Sequence, residues 1–159
     1  MNKNIFATTI VIAIVIATGA GMCFGQSKGG GGRLEGTWDA AVRITNCLDG
    51  TVLNSFASIA SFNQGGTSIG STSGIPQSAR TPEHGIWRHL ESNIYQFKFK
   101  SFSFSPMGQA TGYSIVEHEI VLNDTADAYT SAGTAKFYLL NGTQVGQGCS
   151  DAIGNRMTF

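Results

Sequence analysis

The chain is poor in charge. Only 13% of its 159 residues are Asp, Glu, Lys or Arg, about half the roughly 25% usual in globular domains. Acids and bases balance at 10 each, so the basic excess that marks a nucleic-acid binder is missing. Disorder over the whole length would need high net charge and few apolar residues, but the chain is neutral and 42% hydrophobic. Proline is scarce, with 3 residues, and so is cysteine, with 3. The longest apolar run falls short of the ~20 residues of a membrane-spanning helix. No stretch sustains a 3.6-residue period, so little helix is expected. A (β/α)₈ barrel needs a longer chain.

That apolar run opens the sequence. Lys3 precedes the uninterrupted apolar residues 10–17, and small residues follow at Gly19, Ala20 and Gly21. A charged start, an apolar centre and small residues near a cut form the layout of a secretory signal. Residues 1–25 are therefore expected to be a removable Sec-type leader, cut after Gly25 or after Ala20. A lipoprotein would acylate Cys23, but the bulky Met22 before it does not suit that cut. Cleavage after Gly25 leaves Cys47 and Cys149, an even pair that in an exported chain reads as one disulfide. The pair lacks His or Cys neighbours for a metal, and neither a metal nor another cofactor is expected. Four consecutive glycines at 29–32 make residues 26–33 a flexible linker. No strand precedes them and no Lys-Ser/Thr follows, so they are not a phosphate-binding loop. The folded domain is expected over 34–159, secreted or periplasmic, with no stable membrane insertion once the leader is removed.

From Gly36 onward the dominant period is two. Trp38, Ala40, Val42 and Ile44 share one face, while Asp39, Arg43 and Thr45 share the other. Further strands are expected over 52–62, 67–71, 85–90, 95–104, 110–122, 128–140 and 143–159. Turn signals separate them, among them Asp49-Gly50, Gly65-Gly66, Pro106-Met107-Gly108 and Asn141-Gly142. About eight strands joined mostly by short connections predict up-and-down antiparallel order. Strands of this length can close into a small barrel, and the rival is an open two-sheet sandwich. Closure would set the first strand antiparallel to the last. Across such a ladder residue numbers have a near-constant sum, and the pairs Cys47/Cys149 and Trp38/Arg156 agree to within two. A disulfide near one end thus predicts a Trp38–Arg156 contact near the other, where an indole face suits a guanidinium.

Leu34-Glu35-Gly36-Thr37-Trp38 resembles the Gly-x-Trp start of the lipocalins and the wider calycin group. In that group the Trp opens the first strand and closes the barrel bottom, and a late Arg, here Arg156, stacks across it. The resemblance covers this pair and the strand count. The chain departs from the larger members in having no C-terminal helix and no Thr-Asp-Tyr type motif, and its length is closer to that of the compact barrels. It implies an eight-stranded, calycin-like up-and-down barrel, with Trp38 and Arg156 as structural residues.

Candidate functional residues compete with bland readings. Glu83-His84 and Trp87-Arg88-His89 form the densest cluster: a polar rim that clamps a ligand, or a strand whose Trp fills the core. Phe97 and Phe99 change phase with Phe102 and Phe104. Either a β-bulge keeps all four inward, or the second pair faces the other side. With Tyr113 they are core, pocket wall or both. In Glu117-His118-Glu119 the carboxylates share one face and His118 takes the other; catalysis or metal binding there would need converging partners. Gly66-Thr67-Ser68-Ile69-Gly70 matches the hydrolase elbow, but no helix can follow it.

The expected function is sequestration of a small apolar or amphipathic ligand by a lipocalin-like barrel. Trp87, Arg88 and His89 would supply the polar contacts, and Phe97, Phe99 and Tyr113 the apolar ones. Two alternatives stay open. One is a cyclase or isomerase resembling the allene-oxide-cyclase and dirigent barrels, which would need Glu117, Glu119, His84 or His89 in the cavity with a shifted pKa. The other is a ligand-free structural surface protein with a filled barrel. Nothing in the sequence sets an oligomeric state.

Overall fold

The computed structural model describes residues 33–159. The expected leader, and the linker except for Arg33, lie outside the described residues. The described chain forms eight strands and no helix: β1 (Gly36–Thr45), β2 (Val52–Asn63), β3 (Thr67–Thr72), β4 (Glu83–Glu91), β5 (Ile94–Phe104), β6 (Ala110–Leu122), β7 (Ala128–Leu139) and β8 (Gln144–Arg156). Each pairs antiparallel with its neighbour in sequence, and β8 returns to β1, closing the barrel. Closure leaves no strand at a free end of the sheet, which excludes the open sandwich.

Alternation does the folding locally. On β1 Trp38 and Ala40 are buried while Asp39 and Ala41 are exposed. Gly142, in the β7–β8 turn, takes φ 88°, a conformation that side-chain-bearing residues rarely adopt. The expected strand limits hold closely, with two informative exceptions. β4 starts at Glu83 rather than Gly85, and β8 stops at Arg156 rather than Phe159. On β5 the inward row continues from Phe97 and Phe99 to Ser101, 1% exposed, and then to Ser103. Phe102 therefore faces outward, and the ladder irregularity comes only after Ser103.

The barrel is plugged at one end. Leu34, Trp38, Phe62, Trp87, Tyr95 and Ile120 pack there in one buried cluster. Trp38 is fully buried, and its indole Nε1 donates to the Leu34 carbonyl at 2.9 Å. Arg156 stands opposite Trp38 in the β1–β8 ladder, its guanidinium carbon 4.3 Å from the ring centre. The guanidinium donates to the carbonyls of Ala126 at 2.7 Å, of Glu35 at 2.5 Å and of Arg33. One cation thus ties the incoming chain and the β6–β7 turn to the plug. A disulfide joins Cys47, in the β1–β2 turn, to Cys149 on β8, with Cα atoms 5.2 Å apart.

Candidate ligand site in the barrel cavity

Above the plug the interior is not filled. Inward positions there carry small side chains, such as Ala40, Ser58, Ser114, Ala135, Ser150 and Ala152, and around them lies a cavity of about 300 Å³. That is the lower end of the range of roughly 300–1,000 Å³ for small-molecule pockets. Phe56, Phe62, Phe97, Phe99 and Phe137 supply aromatic wall. The Phe97 ring stands edge-on to Phe62 at 5.6 Å and stacks with Phe99 at 5.9 Å.

Two polar clusters with ionisable members enter this apolar space, besides Asn54, Ser58 and Thr72 on its wall. The first is His118 on β6, 5% exposed. Its Nδ1 lies 3.1 Å from the Ser131 Oγ and its Nε2 2.8 Å from the Ser150 Oγ. In the ladder His118 is opposite Gly133 on β7, and Gly133 is opposite Ser150 on β8. The glycine leaves a notch across which the imidazole reaches the second strand over. Burial lowers the His118 pKa to about 4, with Asp151 opposing the shift. The imidazole is therefore neutral near pH 7, with one N–H donor and one acceptor nitrogen.

The second polar place is the Arg80–Glu83 pair. Arg80 comes from the β3–β4 loop, where it bridges to Ser103 at the end of β5. Its Nη2 lies 3.1 Å from the Glu83 Oε1, and its Nε donates to the Ser101 Oγ at 2.8 Å. Ser101 in turn meets Ser114 at 2.9 Å. Burial raises the Glu83 pKa, and Arg80 works against that rise. Glu83 also sits over a strand glycine: a Cβ at Gly70 would lie 3.0 Å from its Oε2. Tyr129 repeats the device by lying across Gly154. Burial first, and Glu83 second, push the Tyr129 phenol up to about 12, so it stays protonated. Interior glycines in strands mark such close approaches.

The residues expected at the site separate. Phe97 and Phe99 line the cavity. Trp87 faces inward but at the level of the plug, where its Nε1 donates to the Asn63 carbonyl at 3.0 Å. His89 is beside it, 4.9 Å from the Tyr95 ring and 2.8 Å from the Ser92 carbonyl. Arg88 lies on the outer face against the Gln96 amide oxygen. Tyr113 is also outside, stacked on Tyr138 at 5.0 Å with the Lys100 Nζ 3.9 Å from its ring centre.

The candidate catalytic carboxylates and histidines lie outside the cavity as well. Glu117 pairs with Lys98 at 3.4 Å, Glu119 is exposed, and His84 is exposed. Ser68 belongs to β3 with no helix after it. The ionisable groups that do face the cavity are Arg80, Glu83, His118 and Tyr129. For His118 the signal was its parity opposite Glu117 and Glu119, together with a glycine in the facing strand. Arg80 carried no comparable signal, because it reaches the interior from a loop. Among the described residues no three His, Cys, Asp or Glu side chains converge as metal ligands.

Compared with known proteins, the chain matches no family model and no curated protein.

Proposed function

We propose that the protein is an exported, lipocalin-like carrier that sequesters a small apolar or amphipathic molecule inside its barrel. The observation that carries this reading is the cavity of about 300 Å³ with phenylalanine walls. Removing apolar surface from water there is worth about 25 cal/mol per Å² before the costs of binding. Export is supported by the disulfide, since such bonds persist in oxidising compartments, and by the leader-like start of the sequence. The Trp38–Arg156 stacking agrees with the calycin resemblance. A filled barrel would have favoured a structural role, and the open interior speaks against it.

The test is titration with N-phenyl-1-naphthylamine, a neutral dye that fluoresces in apolar sites. Saturable binding at one dye per protein is expected, together with its loss in Ala135→Phe, which fills the cavity. An absence of saturable binding, or full binding in a correctly folded Ala135→Phe, overturns the reading.

One observation favours a second reading, a cyclase or isomerase of the allene-oxide-cyclase or dirigent type. Glu83, with its pKa raised by burial, shares the cavity with the neutral imidazole of His118, and a carboxyl and a neutral imidazole are the group types that serve as general acid and base. Recovery of a captured compound unchanged supports the carrier, whereas its conversion, lost in Glu83→Gln, supports the enzyme.

A further inference from the structure

We propose that the molecule held in the cavity is uncharged and presents a single hydroxyl or carbonyl oxygen to the row formed by His118, Ser131 and Ser150. The inference rests on the carrier reading and narrows it to a ligand class.

The first argument is charge. The charged groups lining the cavity are Arg80 and Glu83, and they neutralise each other at 3.1 Å. The Arg80 Nε is also engaged, by Ser101. A carboxylate ligand would either displace Glu83 and strand a buried charge or enter with no countercharge. Both are expensive in a low-dielectric interior. An ammonium ligand meets the mirror-image difficulty at Glu83. His118 adds no charge to either balance, because its neutral ring is held between two hydroxyls.

The second argument is hydrogen-bond inventory. A serine hydroxyl has one donor and two acceptor sites. The neutral imidazole donates to one of its two serines and accepts from the other. The serine that receives the imidazole proton keeps its own O–H, which suits a ligand carbonyl. The serine that gives its proton to the ring keeps lone pairs, which suit a ligand hydroxyl. Exchange of the ring tautomer exchanges the two roles. Ser131, Ser150 and His118 all line the cavity. The Phe97 ring, 5.5 Å from the imidazole, offers an apolar surface beside them. The row therefore accommodates alcohols and ketones with an apolar body.

The test is calorimetric titration at pH 7 with naphthalene, 2-naphthol, 2-acetonaphthone and 2-naphthoate. The naphthol and the ketone are expected to bind about fivefold to tenfold more tightly than naphthalene, the share of one net hydrogen bond. The naphthoate is expected to bind more weakly than naphthalene. In a His118→Leu/Ser131→Ala/Ser150→Ala variant the advantage of the naphthol should vanish while naphthalene still binds. Naphthoate binding as tight as naphthol overturns the proposal, as does an undiminished naphthol advantage in the variant. Should the variant not fold, the comparison of the four compounds on the unaltered protein still decides the matter. If neither naphthalene nor the neutral dye binds, it is the carrier reading that fails.

Discussion

His118 and Ser150 are hydrogen-bonded across an intervening strand. The Nε2 and Oγ atoms are 2.8 Å apart, although His118 lies on β6 and Ser150 on β8. The residue between them in the ladder is Gly133. An added Cβ there would lie 2.5 Å from the His118 Cδ2 and closer still to the Glu117 backbone oxygen. Gly133→Ala is therefore expected to destabilise the barrel by about 1–3 kcal/mol and to break the His118–Ser150 bond. Urea unfolding with imidazole NMR checks both, and an unchanged ring environment would contradict the bridging role.

The burial of His118 has a consequence for pH. Its pKa is about 4 in the fold and 6.5 ordinarily. Between those values the unfolded chain takes up a proton that the native state refuses. Stability falls as pH drops from about 6.5 to about 4 and then levels off, with about 3 kcal/mol as the upper bound over the window. The measurement is the difference in unfolding free energy between the protein and His118→Phe across pH 4–7. Glu83 titrates in both and cancels. The difference should shift toward the variant as pH falls; a flat difference would show that His118 is not held neutral by the fold.

Glu83 is buried and Arg80 nearly so, so removing one leaves the other without its countercharge. Arg80→Leu is expected to cost about 3–5 kcal/mol, less to the extent that Glu83 takes up a proton. Arg80→Leu/Glu83→Leu should cost clearly less than the single change. Denaturant titration of Arg80→Leu, Glu83→Leu and the double variant at pH 7 decides it, and simple additivity of the two single losses would argue against the pairing.

The Arg156 fork reaches three backbone carbonyls while its plane covers Trp38. A lysine has one ammonium and cannot span them. Arg156→Lys should therefore lower stability by about 1–3 kcal/mol, with a change in the near-ultraviolet signal of Trp38. A neutral substitution would mean that the plug closes without the guanidinium.

The Cys47–Cys149 bond closes a chain separation of 102 residues. Intact mass should show the loss of two hydrogens at these positions, and Cys47→Ser/Cys149→Ser should cost about 2–5 kcal/mol. Two free thiols in the isolated protein would contradict the bond.

The β1–β8 closure was legible in the sequence because antiparallel register ties residue numbers together. Cys47 with Cys149 came from the even cysteine count of an exported chain, and that constraint carried the pairing on to Trp38 with Arg156. The strand limits were legible because glycine and asparagine mark the turns. Glu83 was harder to see, since Pro82 before it reads as loop while the strand already starts at Glu83. Trp87 shows where the reading stops. Its parity pointed inward, and inward it lies, but in the plug rather than beside the cavity. Parity also turns Tyr113 outward, away from Phe97 and Phe99, once the inward row of β5 is followed through Ser101.

The sequence alone determined which elements form, their order and the face on which most side chains lie, and it pointed to the closing pair while leaving the sandwich open. All of these depend on a period of two and on local turn chemistry. The tertiary structure alone decided depth along the barrel axis: which end is plugged, where small inward residues leave a cavity, and which polar groups meet inside it. Depth depends on how the tilt and stagger of eight strands accumulate around the closed sheet, and no single strand carries that information. His118 reaches Ser150 only because that stagger brings Gly133 between them.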